Sequence, residues 1–154
     1  MKRIACTYHL KNHQCDFENQ DVETYRGEGF NASLLGWLGS DGLEAGWARI
    51  VAAQRQDERL THQCFGGTYI LALYEEKTRV LRIFQDFFGA PLPLYYVVSG
   101  DLVYVDTSLR HLLKRSGLRP AMNPEAEKKF LRWGAVPGKE TLLAGIWKLM
   151  PGQA

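Results

Sequence analysis

The chain has 154 residues, enough for one domain with a sizeable core. Its 45% hydrophobic and 23% charged content is ordinary for a globular protein, and a net charge of +2 gives no argument for nucleic acid or membrane partners. Three cysteines without a CxxC pair argue against zinc and for free thiols in a reducing cytoplasm. Met1-Lys2-Arg3 is basic, but Ile4 to Leu10 is too short and too polar for a signal sequence, and no run reaches the length of a membrane span.

Ile4, Cys6, Tyr8 and Leu10 alternate with Ala5, Thr7 and His9, which predicts a half-buried strand. Lys11 to Glu28 is polar and weakly patterned and reads as a loop or irregular excursion. Phe30 to Leu38 reads as a second strand. Asp41 and Glu44 have capping-box spacing, and Leu43, Trp47, Ile50 and Val51 then recur at helical intervals, predicting a helix from about Gly42 to Leu60. Gly66-Gly67 ends that pattern.

Thr68 to Tyr74 and Val80 to Phe84 flank the polar turn Glu75-Glu76-Lys77-Thr78, and Leu94 to Val98 and Leu102 to Val105 flank Ser99-Gly100-Asp101. Both read as hairpins of a covered sheet. Two helices follow. One has its cap at Asp106 or Thr107, apolar Leu109, Leu112 and Leu113, and a stop near Gly117. The other is capped by Asn123, has Pro124 first, and stops at Gly134. The late basic residues Arg110, Lys114, Arg115, Arg119, Lys128, Lys129 and Arg132 read as a solvated helical face. The element order suggests a layered α+β fold in a single domain over residues 1–154.

Four segments, in order, resemble the asparagine synthetase superfamily. Gly67-Thr68-Tyr69-Ile70-Leu71-Ala72-Leu73-Tyr74-Glu75 is similar to its Gly-x-Phe-Ala-Phe-Ala-Leu-Trp/Tyr-Asp strand. Gln85-Asp86-Phe87-Phe88-Gly89 followed by Pro93-Leu94-Tyr95-Tyr96 is similar to its Arg-Asp-x-x-Gly…Pro-Leu-Tyr-Tyr turn, with Gln85 in place of arginine and one residue inserted. Val105 to Leu113 resembles its Phe-Ala-Ser-Glu-x-Lys-x-Leu helix start, with Thr107-Ser108 for Ser-Glu and Arg110 for Lys. Trp133 to Gly152 resembles the run where the glutaminase-like half of such enzymes meets the ATP-using half. The resemblance implies an Ntn-hydrolase-like fold, a four-layer αββα sandwich of antiparallel sheets, here shortened in its first half. For Asp86 it implies a structural turn role only.

Glutaminase chemistry in that family uses an N-terminal cysteine whose own α-amino group is the base. Aligning Ile4-Ala5 with the family's Met-Cys-Gly-Ile-Ala start puts Lys2 at the nucleophile position and Arg3 at the glycine. Lysine cannot perform the thiol step. The alternative, Cys6, lies further along the strand, has no free α-amino group without processing after Ala5, and reads as a buried thiol. The family's Asn-Gly loop has no counterpart, and Ser40-Asp41 is the one candidate for its Ser-Asp segment. His9, His13, His62 and His111 share no spacing with a carboxylate or cysteine set and read as surface or strand residues.

The chain lacks the Ser-Gly-Gly-x-Asp-Ser phosphate loop, so no cofactor is expected here, and ATP and magnesium belong to a missing synthetase domain. The closest reading is a degenerate, non-catalytic amidotransferase-like domain, similar to those of β-lactam synthetases and lasso-peptide cyclases. It would scaffold a C-terminal or separately encoded synthetase domain. Trp133, Val136, Ile146, Trp147 and Met150 are candidates for the docking patch, and Leu149 to Ala154 reads as an interface without its partner. Two other readings stand beside it: a residual amidohydrolase using Cys6 after processing, and a module that binds a precursor peptide or partner along exposed strand edges.

Overall fold

A computed structural model describes residues 2–27, 29–39, 42–55, 66–88 and 92–152, without the side chains of 53–55. Nine strands and three helices lie among the described residues. One sheet has the order β2-β1-β8-β7-β9, made of Cys15–Phe17, Ala5–His9, Leu102–Asp106, Leu94–Ser99 and Trp147–Leu149. The other has the order β3-β4-β5-β6, made of Glu23–Gly27, Phe30–Leu38, Gly67–Glu75 and Val80–Gln85. Every strand pair is antiparallel. The helices are α1 (Leu43–Arg55), α2 (Leu109–Ser116) and α3 (Pro124–Trp133).

The period-two alternation of the strands sorts their side chains into three apolar layers. Along β5, Tyr69, Leu71 and Leu73 face outward and pack with Phe30, Leu34, Trp47 and Ile50 beneath α1. The intervening Ile70 and Ala72 face the other sheet and meet Ile4, Cys6, Leu94 and Val105. On the far side of that sheet, Val97 packs with Leu112 of α2 and with Ile146. The result is helix, sheet, sheet, helix: the four-layer αββα sandwich expected from the resemblance. Among the described residues no helix is long and apolar enough to cross a membrane.

Within the second sheet, the pairing of β4 with β5 leaves no room for a larger side chain at one position. Gly36 has φ 108°, and a Cβ there would lie 2.1 Å from the Thr68 carbonyl oxygen. Only glycine permits both that backbone and that approach, so β4 and β5 pair closely through Gly36 opposite Tyr69.

Several elements differ from expectation. The polar stretch 11–28 contains β2 and β3, edge strands too short and too polar to show period-two apolar alternation. β9, within the closing run, has three residues and pairs with β7. The cap of α2 is Ser108, whose Oγ accepts from the His111 N–H, and not Asp106 or Thr107. Both earlier residues are already engaged: Asp106 Oδ1 accepts from the Ser108 N–H at 2.8 Å, and the Thr107 N–H donates to the Ile4 carbonyl at 3.1 Å. The expected Asp41 cap and residues 56–60 of the first helix lie outside the described residues. Asn123 and Gly134 bound α3 as expected, with Asn123 Oδ1 accepting from the Glu125 and Ala126 N–H groups.

Candidate functional site

The segment that enters β1 is held on both sides. Arg3 and Gln20 exchange backbone hydrogen bonds of 2.8 and 2.9 Å. The Ala5 N–H donates to Asn19 Oδ1 at 3.1 Å, and Asn19 in turn donates to Ser33 Oγ at 2.5 Å. On the other side, Thr107 clasps Ile4 at the end of β8. Ile4, Ala5 and Cys6 are buried, Arg3 is half-buried, and Lys2 is exposed. The lysine at the expected nucleophile position therefore sits just outside the last clamped residues and is exposed.

Cys6 points into the inter-sheet core and is 0% exposed. Register places Cys6 opposite Phe17 and Tyr8 opposite Cys15, so the two cysteines share a face one diagonal step apart. Both are free. Hydrogen bonding with the Cys6 thiol, and then burial, push the Cys15 thiol far above its ordinary range. Cys15 is therefore a protonated core thiol and not a thiolate nucleophile. Cys64, His62 and Ser40-Asp41 lie outside the described residues.

Above Ile4 a polar cluster joins both sheet and helix, and it corrects two expectations. Arg115, read as part of a solvated face, has a side chain only 7% exposed. Its guanidinium reaches four groups: Thr7 Oγ1 at 2.6 Å, the Val105 carbonyl at 3.2 Å, Glu18 Oε1 at 3.0 Å and Asp106 Oδ2 at 3.5 Å. Tyr104 lies beneath it, with its ring centroid 5.8 Å away. His111, read as a surface or strand residue, is a half-buried residue of α2 whose Nδ1 donates to Asp106 Oδ2 at 2.5 Å, because an ionised carboxylate can only accept. Asp106 is 0% exposed and has the Arg115 guanidinium and the His111 ring as partners, as a buried carboxylate requires.

The signal for Arg115 was present in the spacing. Leu109, Leu112 and Arg115 follow one another at intervals of three, so Arg115 falls on the apolar stripe and not on the opposite face. The other histidines are peripheral: His9 pairs with Asp16 at 2.9 Å, and His13 Nδ1 meets the Tyr8 hydroxyl at 2.9 Å.

Gln85, in place of the family's arginine, is buried and donates to the Leu92 carbonyl at 3.0 Å. Asp86 is buried in the turn after β6. Its Oδ1 accepts from the Phe88 N–H at 2.8 Å and its Oδ2 from the Tyr69 N–H at 3.3 Å, which is structural turn chemistry. The Gly152 N–H donates to the Asp86 carbonyl at 3.0 Å, tying the closing run to this turn. That run is thus part of the first sheet through β9. Of its expected docking residues, Ile146 is buried against α2, Val136, Trp147 and Met150 are half-buried, and Trp133 is exposed.

Among the described residues no three His, Cys, Asp or Glu side chains are grouped to hold a metal. Between the sheets, Tyr8, Leu81, Ile83, Leu94, Tyr96 and Val103 help line an apolar hollow of about 280 Å³, with no carboxylate, imidazole or thiol in its lining.

The αββα sandwich of two antiparallel sheets sets the fold class of the chain, and the family follows from comparison. Residues 50–154 match the family model described as a glutamine amidotransferase domain, which is more than half of the chain. The chain belongs to that family. The matched region holds β5 to β9 and all of α2 and α3, and β1 with Lys2 and Cys6 precedes it. No curated protein matches the chain.

Proposed function

We propose that this is a non-catalytic glutamine amidotransferase-like domain of an asparagine-synthetase-type, ATP-dependent amide-forming enzyme, similar to β-lactam synthetases and lasso-peptide cyclases. Its role is to scaffold a synthetase half, on the same or a separate chain, which would carry ATP and magnesium in the cytoplasm. The observation that carries the reading is the occupant of the nucleophile position. Exposed Lys2 stands there, whereas Cys6 is wholly buried between the sheets. A lysine ammonium offers no thiolate, and Cys6 has neither access nor a free α-amino group.

The arrangement also weighs against activation of Cys6 by processing. Loss of residues 1–5 would remove the Arg3–Gln20 pair, the Thr107–Ile4 bond and the Ala5–Asn19 bond that hold the start of β1. The test is glutamate release from glutamine by the purified chain, alongside Cys6→Ala and an intact mass. The expected result is no release above the Cys6→Ala background, with a mass that retains Lys2. Release that depends on Cys6, with a mass beginning at Cys6, would establish the amidohydrolase instead.

A further inference from the structure

The segment before β1 and the start of α2 enclose an open depression of about 570 Å³, lined by Arg3, Ser108, Arg110, His111 and Lys114. Its wall is almost entirely basic. Some cations of this protein find carboxylates, as Lys11 does with Asp101, Arg82 with Glu75, Arg115 with Asp106 and Glu18, Lys128 with Glu125, and Lys129 with Glu140, whereas others, such as Lys77, Arg119 and Arg132, have none among the described residues. Arg3, Arg110 and Lys114 have no acidic partner among the described residues. The same holds for Lys2, which precedes Arg3 in the chain.

Two further observations point to a ligand. The Nε of Arg3 is buried and lacks a hydrogen-bond acceptor among the described residues, a costly state for a guanidinium nitrogen. The nearest carboxylate, Asp106, cannot neutralise the wall, because Ser108, His111 and Arg115 already occupy its oxygens. α2 also carries no acidic residue in its first turn, where Arg110 adds positive charge. Asp106 is the carboxylate that already stands at this helix start, accepting from the Ser108 N–H at 2.8 Å.

We propose that this depression binds a phosphate-bearing ligand of more than one negative charge, a phosphate monoester or a diphosphate. Three unpaired cations exceed the charge of a single carboxylate, and the hollow is larger than one such group. Guanidinium forks match phosphate oxygens in pairs, and the lysine adds a point charge. The assignment goes beyond the scaffold reading and does not depend on whether the domain has lost glutamine hydrolysis.

The test is a two-dimensional NMR titration of the ¹⁵N-labelled full chain with sodium pyrophosphate, inorganic phosphate and citrate at constant ionic strength, with chloride as the control. Saturable shifts are expected at the amides of Arg3 and of Ser108 to His111, tighter for pyrophosphate than for phosphate. The exposed pair Arg110→Gln/Lys114→Gln, which breaks no ion pair, should weaken pyrophosphate binding by roughly tenfold or more. Lys128→Gln on α3 should leave it unchanged. Shifts that chloride reproduces, shifts that fail to saturate, or an Arg110→Gln/Lys114→Gln protein that binds like the parent would overturn the proposal. Citrate binding as tightly as pyrophosphate would overturn the phosphate assignment.

Discussion

Helices α2 and α3 carry the same terminal chemistry, with a polar N-cap side chain at one end and a left-handed glycine, Gly117 or Gly134, at the other. Their faces meet different fates. α2 buries Leu112 in the outer layer and sends Arg115 inward to Asp106. α3 buries Ala126 alone, and its Phe130, Leu131 and Trp133 stay exposed, Leu131 at 78%. Nearby Met122 is exposed as well. Caps and periodicity thus determine that a helix exists and where it ends, whereas its apolar side is completed only where a partner surface faces it. The uncovered side of α3 is what the proposed synthetase half would cover.

The contrast is sharpest in a pair of truncations. Leu112→Ala should cost about 3–4 kcal/mol in urea unfolding, because it opens a cavity in the layer beneath α2. Leu131→Ser should stay within about 0.5 kcal/mol. A large loss from Leu131→Ser would mean that α3 is covered in the isolated chain, and the comparison would fail. Next in size is Arg115→Ala, expected to cost about 2–3 kcal/mol by removing one partner of buried Asp106 and the bond to Thr7. Circular dichroism melts would check it against Arg132→Ala on α3, which should change little.

The smallest effect is electrostatic. On α3, Lys128 holds the Glu125 carboxyl below its ordinary 4.5 by a 2.8 Å hydrogen bond and by its charge, and Glu125 holds Lys128 above 10.5 in return. Glu125 therefore adds stability above pH 4.5 that fades as pH falls through its lowered value. Lys128 adds stability below pH 10.5 that fades as pH rises through its raised value. Both groups are exposed, so high salt should return the Glu125 midpoint, followed by carboxyl NMR, towards 4.5.

Much of this fold is legible in the residues, and the reasons differ by element. β4, the β5–β6 hairpin and α3 carry strong apolar alternation or unambiguous caps, and their bounds agree with expectation closely. β2, β3 and β9 escape notice because they are edge strands, and their partners rather than their own composition make them strands. At the candidate site, the burial of Cys6 followed from alternation alone. The Asp106–His111–Arg115 cluster did not, because its members become a unit only when α2 settles on β8 and β1. The basic depression was hidden for the same reason: Arg3 and Arg110 are far apart in the chain and meet through the Thr107–Ile4 clasp.

The topology also has a consequence for how the molecule is made. β3 to β6 form a sheet of strands contiguous in the chain, each hydrogen-bonded to its sequence neighbour. β1 instead pairs Ala5 with Asp106 and His9 with Leu102, across most of the polypeptide. The local sheet can close soon after its last strand emerges, whereas the first strand must wait for the eighth and bear the entropy of a very long loop. Until β8 is in place, β1 has only its short antiparallel partner β2, and Ile4 and Cys6 lack part of the layer that later seals them.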